Sequence, residues 1–214
     1  MRIVHPFPQP ERARLDVAFL DPTYPAWRRL HGLTPDEHPG ADFNLIGTSG
    51  DSDLGYPIVA MADGIVVDAR SYPIWGNIVL VEHPELARVL GMPYLATQYA
   101  HLAQICVDPG QRVWAGEPVG SIGKGDRKRP FLAHLHFEVR RAKLAASHWY
   151  GSNREAIRRD YIDPLTFLAK HGDAKRRFAR PSSRVYGVPG TGSVIINLED
   201  PHVAHIRWEA RNDN

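Results

Sequence analysis

The sequence predicts an all-β protein, a compact antiparallel sheet or sandwich-like fold assembled from many short strands. Three observations carry this expectation. Apolar stretches of strand length recur between turn residues from Ile58 to Leu132. Glycine and proline number 18 each, which leaves little room for long helices. A chain of 214 residues suits one sizeable core, or one domain with short extensions.

Taken in order, residues 1–37 are rich in proline (Pro6, Pro8, Pro10, Pro22, Pro25, Pro35) and show no sustained period. They read as a lead-in wrapped on the rest, with one helical turn around 26–30. The main domain is expected over 38–170. Its strands are Ile58-Val59-Ala60, Gly64-Ile65-Val66-Val67, Asn77-Ile78-Val79-Leu80-Val81, then 94–101, 117–122 and 134–140. Pro109-Gly110 and Ala115-Gly116 sit where hairpin connections belong. A short helix is expected at 85–90. A second is expected at 163–168, where Asp163 can cap the start and Pro164 can take the first helical position. Residues 171–184 read as a basic linker, and strand-like alternation returns at 193–196 and 203–208 as a small hairpin-like extension.

Composition narrows the chemistry. Cys106 is the sole cysteine, so a disulfide and a thiolate metal cluster are both excluded, and any metal must be held by histidine and carboxylate. The net charge is only +2, but basic residues bunch at 127–129 and 175–177. Solvated loop charge is the ordinary explanation. The functional one is attraction to an anionic polymer: cell wall, membrane surface or nucleic acid. Glu11, Arg12, Arg14 and Asp16 interrupt the first 21 residues, so no secretory signal is expected. No apolar run approaches the ~20 residues of a membrane span.

Three segments carry the candidate chemistry. His38-Pro39-Gly40-Ala41-Asp42 cannot be a regular helix, because Pro39 and Gly40 break it. A loop running into a strand lets both polar side chains converge, although an Asp–His pair in a turn would explain the segment alone. In His134-Leu135-His136-Phe137-Glu138, strand alternation puts both imidazoles on one face, roughly 7 Å apart. Two exposed strand histidines would be the plainer account. His101, in Gln98-Tyr99-Ala100-His101-Leu102, ends an aromatic strand and is singly unremarked. Together, the segments offer the neutral imidazoles and carboxylate that suit Zn²⁺, which in a catalytic site takes three protein ligands.

The ordered motifs resemble the lysostaphin/LytM-type peptidoglycan endopeptidases, family twenty-three of the metallopeptidases. They are His38 with Asp42, Ala62-Asp63-Gly64-Ile65-Val66, Gly76-Asn77-Ile78-Val79 followed by His83, and Tyr99-Ala100-His101-Leu102. The run Gly110 to Gly116 and the segment His134-Leu135-His136-Phe137-Glu138 complete the series, covering about residues 38–140. The resemblance implies His38, Asp42 and His136 as zinc ligands, His101 and His134 as catalytic histidines, and a β-fold with the metal on the floor of a groove. His83 is assigned no role and is expected at the surface. Gly123 to Ala133 departs from the small-residue loop common in the family, so substrate preference does not carry over. Tyr24 is the nearest upstream candidate for a tyrosine that stabilises an oxyanion, and it is not assigned that role.

The implied function is zinc-dependent hydrolysis of a peptidoglycan stem or cross-bridge peptide, with His134 preferred over His101 as general base. No nucleic-acid partner and no membrane span are expected, and a monomer is favoured. Without an export signal, a phage lysin fits better than an exported bacterial enzyme: made in the cytoplasm, it would reach the wall after release. The alternative is a non-catalytic relative that activates another wall hydrolase. The intact set of five residues weighs against it. A phosphocarrier histidine is a further alternative, in which His38 and Asp42 would have no purpose.

Overall fold

Alternating apolar residues in this chain build a sheet with two covered faces, and one of those faces carries the polar residues. The computed structural model describes residues 1–125, 128 and 131–173, together with the backbone of 183–188, 192–197 and 206–209. Its strands are β1 Ala13–Val17, β2 Ala41–Leu45, β3 Pro57–Val59, β4 Gly64–Tyr72, β5 Gly76–Glu82, β6 Ala96–Leu102, β7 Gln104–Ile105, β8 Arg112–Val113, β9 Pro118–Ser121, β10 Leu135–Arg140 and β11 Tyr161–Ile162. Beyond them lie β12 Ser183–Val188, β13 Gly192–Asn197 and β14 Ile206–Glu209. The helices are short: α1 Tyr24–Leu30, α2 Pro84–Val89, α3 Arg154–Asp160 and α4 Pro164–His171.

The main sheet runs β1-β2-β10-β6-β5-β4-β8, antiparallel throughout, with β11 continuing along β10 beyond β2. A small sheet of order β3-β9-β7 packs beside it, and β12-β13-β14 form a further antiparallel sheet. Leu135, Phe137 and Val139 of β10 enter the principal core with Phe43, Val79, Val81 and Tyr99. Full burial of a side chain such as Phe137 is worth about 1.5–3 kcal/mol. The opposite face holds a second apolar cluster of Trp75, Ile78, Leu80, Ala96, Ala100 and Ala146. The even-numbered residues of β10, His136, Glu138 and Arg140, share that second face by alternation, and they are buried.

The expected strands and helices are present with shifted ends. β4 extends to Tyr72, and α4 has the expected start, with the Asp163 carboxylate accepting the Leu165 N–H at 3.0 Å. β1, β7, β8, β11, β12 and α3 were not anticipated, and β12 begins inside the stretch 171–184 read as a linker. β1 lies inside the proline-rich lead-in, where Ala13, Leu15 and Val17 alternate with Arg14 and Asp16 and form an edge strand of the main sheet. α3 begins at Asn153, whose side chain accepts the Ala156 N–H at 3.0 Å. The basic runs at 127–129 and 175–177, apart from Lys128, lie outside the described residues. Among the described residues, no helix is long and apolar enough to cross a membrane.

His83 corrects the surface expectation. Its side chain is fully buried, Nδ1–H reaches the Asp63 carbonyl at 2.9 Å, and Nε2 lies 2.8 Å from the Thr97 hydroxyl. Burial lowers its pKa to about 4, against the favourable bond to Asp63. It is a neutral structural group pinning the end of β5 to β6.

Gly76 opens β5 in the left-handed region at φ +66°, and a Cβ there would stand 2.5 Å from the Gly125 carbonyl oxygen. Only glycine serves both needs. Gly76→Ala is therefore expected to lower folding stability by about 2 kcal/mol or more, combining left-handed strain with a backbone clash. Equilibrium urea unfolding checks this. A change within the ~0.5 kcal/mol of ordinary surface substitutions would contradict it.

Candidate metal centre

Strand pairing assembles the cluster. His136 of β10 stands directly opposite Asp42 of β2 on one side and Ala100 of β6 on the other. Immediately before β2, the Pro39-Gly40 turn folds His38 back over Asp42. Gly40 permits the approach, since a Cβ there would meet the Phe137 carbonyl oxygen at 2.5 Å. His38 Nε2 thus lies 3.0 Å from Asp42 Oδ1 and 3.0 Å from His136 Nδ1, and His136 Nδ1 lies 2.9 Å from Asp42 Oδ1. A tetrahedral zinc with bonds near 2.0–2.1 Å would separate its ligand atoms by about 3.3 Å. Adjustments of a few tenths of an ångström bring these three atoms to that spacing, and two imidazoles with one carboxylate are a zinc donor set.

Each histidine is held by its other ring nitrogen. His38 Nδ1–H donates to the Ala18 carbonyl at 3.0 Å, directly after β1. His136 Nε2–H donates to Glu138 Oε1 at 3.0 Å. These bonds leave His38 Nε2 and His136 Nδ1 as the nitrogens facing the cluster. The two remaining histidines show the same arrangement. His101 Nδ1–H donates to the Trp75 carbonyl at 2.9 Å, and His134 Nδ1–H to the Leu132 carbonyl at 2.7 Å, leaving both Nε2 atoms free. Their rings are 4.7 Å apart, and His134 Nε2 lies 3.9 Å from Asp42 Oδ1. His101 occupies a left-handed backbone at φ 63°, an uncommon conformation for a side-chain-bearing residue and one that concentrates at functional sites.

Aromatic rings enclose the polar groups. Trp75 stacks on His101 at 5.8 Å and meets His136 edge-on at 5.3 Å, and Phe131 packs 5.0 Å from His101. Burial, with His134 and His136 beside it, holds the His101 imidazole well below its usual pKa, against the opposing pull of Asp42 and the Trp75 carbonyl. For Asp42, burial pushes the carboxyl up. His38 and His134, with hydrogen bonds from His136 and His38, overcome that and hold it well below the carboxylate range. Burial and the Asp42 charge push the Tyr24 hydroxyl up to about 12; its ring lies 4.9 Å from His38.

All five residues singled out in the sequence meet here: His38, Asp42 and His136 in the cluster, with His101 and His134 beside it. Sequence reasoning did not single out Glu138, Arg140, Trp75 or the Ala18 carbonyl. The first two could have been read from the two-residue period that joined His134 to His136.

His38, Asp42 and His136 bring their ligand atoms within 4.8 Å of one another, a candidate His/Asp metal centre. The chain belongs to peptidase family M23, whose model matches residues 37–149. It is 35% identical over 114 residues to peptidoglycan DD-endopeptidase ShyA of Vibrio cholerae, a match covering 52% of this chain and 23% of that protein. It is 30% identical over 90 residues to stage II sporulation protein Q of Bacillus subtilis, covering 42% of this chain and 29% of that one. The chain thus spans less than a third of the length of these relatives. Lysostaphin of Staphylococcus simulans superposes with a TM-score of 0.55 at 18% identity, over 86% of this chain and 61% of that one, a likeness of fold.

Among protein groups alone, burial opposes a charge on His136, yet hydrogen bonds to Asp42 and Glu138 raise its pKa to about 9. The proton this places on Nδ1 occupies the lone pair a cation would use. Cation binding should therefore release a proton, and affinity should strengthen as pH rises toward 9, by up to about tenfold per unit. Zinc titration calorimetry in buffers of different ionisation enthalpy measures that release. An affinity independent of pH across neutrality would contradict the arrangement.

Proposed function

We propose that this chain is a zinc-dependent endopeptidase acting on the peptide part of bacterial peptidoglycan. The observation that carries the reading is the convergence of His38 Nε2, Asp42 Oδ1 and His136 Nδ1 on one point, with the free Nε2 atoms of His101 and His134 beside it. The similarity to a named peptidoglycan DD-endopeptidase supports the substrate class. His38, Asp42 and His136 would hold the ion. Zinc bound there would supply Lewis acidity, polarising a scissile carbonyl and lowering the pKa of water toward ~7.

The chain's own groups divide the proton work. His101 is pressed between the Trp75 and Phe131 rings with its Nδ1–H engaged, so its neutral ring offers a lone pair from Nε2. In this reading it takes the proton of the attacking water and returns it to the leaving amine. His134 Nε2 lies 3.9 Å from Asp42 Oδ1, and in this reading it would hydrogen-bond the developing oxyanion. This reverses the preference drawn from strand adjacency. The rings around His101 favour the reversed reading.

Single variants test the assignment. His136→Ala is expected to lose both bound zinc and hydrolysis, because two protein ligands hold the ion poorly. His101→Ala and His134→Ala are expected to keep zinc and lose on the order of 10²–10⁴ in rate. Metal analysis of each purified variant, with muropeptide turnover, reads both. Loss of zinc from His101→Ala or His134→Ala with retention in His38→Ala would overturn the division of roles.

A further inference from the structure

The face of β10 that carries His136 continues with Glu138 and Arg140, and both are fully buried. Glu138 Oε1 accepts from His136 Nε2 at 3.0 Å, and Glu138 Oε2 accepts from Arg140 Nε at 2.7 Å. The guanidinium has four other N–H groups. Nη1 donates to the Leu144 and Ala145 carbonyls at 3.4 and 3.0 Å, and Nη2 to Gln98 Oε1 and the Ala146 carbonyl at 2.8 and 3.2 Å. All five donors of the arginine are therefore used inside the protein. Its plane also lies over the Tyr161 ring, 5.5 Å from the centroid.

Stability alone does not account for this pair. Removing a carboxylate and a guanidinium from water costs several kcal/mol per ion, and well-packed apolar residues usually do as well or better. What the pair provides is directional. A carboxylate accepts only, so it demands N–H from the ring nitrogen it faces, and the Arg140 Nε–H bond to the other carboxylate oxygen stops that carboxylate from turning. We propose that Glu138 and Arg140 are positioning residues for the metal ligand: Glu138 fixes the Nε2–H tautomer of His136, and Arg140 fixes Glu138. The inference rests on the reading of His136 as a ligand.

Arg140 is also linked to the aromatic residues beside the site. The carbonyls it holds at 144–146 lead to Trp149, whose indole packs 5.6 Å from Trp75 and donates Nε1–H to the Glu37 carbonyl, next to His38. One guanidinium thus ties the orientation of a ligand to the segment covering the site. A lysine could not replace it, since three donors cannot meet five acceptors.

Three proteins and one spectrum test the proposal. Glu138→Gln keeps the side-chain shape, but its amide must face either the imidazole N–H or the guanidinium with a donor. It is expected to bind zinc about 10–100-fold more weakly by chelator competition. The double variant Glu138→Gln, Arg140→Met removes the stranded cation as well, and is expected to fold with the same weakened zinc affinity. His136→Ala is the reference for complete ligand loss. Independently, long-range proton–nitrogen correlation of the zinc-loaded wild-type protein should show His136 protonated at Nε2 and metal-bound at Nδ1. A folded double variant with wild-type zinc affinity, or a spectrum with the nitrogens reversed, overturns the positioning role. Wild-type zinc binding by His136→Ala overturns the ligand assignment instead.

Discussion

The pairing of β10 with β2 is the constraint on which the site depends. Its register sets His136 opposite Asp42, and a slip of one residue would turn His136 into the apolar core and Phe137 toward the polar cluster. The apolar residues enforce that register. Leu135, Phe137 and Val139 pack with Phe43 and Tyr99 on the far side, so the burial that stabilises the sheet also holds the polar side chains in place. Packing and chemistry occupy opposite faces of one strand.

Burying this much polarity requires every group to have a partner. His38, His101, His134 and His136 each spend one ring nitrogen on a carbonyl or carboxylate, and the other faces the site. The carbonyl acceptors come from Ala18, Trp75 and Leu132, on three separate segments. The segments around the strands therefore determine which nitrogen of each ring faces the site. The proline-rich amino-terminal segment takes part through Ala18, immediately after the edge strand it contributes to the sheet.

Local periodicity and ordered motifs made the strands and the five polar residues legible. His134 and His136 follow from a period of two, and Asp163 with Pro164 announces α4 within four residues. Long-range features were not legible in the same way. β1 has a strand's alternation in Ala13, Leu15 and Val17, but the prolines flanking it masked the pattern and its partner lies about thirty residues away. His83 looked like a strand-end surface residue because its acceptor, Asp63, is distant in sequence. The division of labour between His101 and His134 depends on which rings press on each, which strand position does not reveal.

In the proposed function, an ion held by His38, Asp42 and His136 would promote cleavage of a peptide bond and leave the glycan intact. Mass spectrometry of defined muropeptides digested in heavy-oxygen water tests it directly. The predicted products are a free amine and a carboxylate carrying a single labelled oxygen, with unbroken sugar chains. Chelation should abolish them and zinc should restore them. Glycan fragments as the labelled products, or peptide cleavage that persists without metal, would contradict the account.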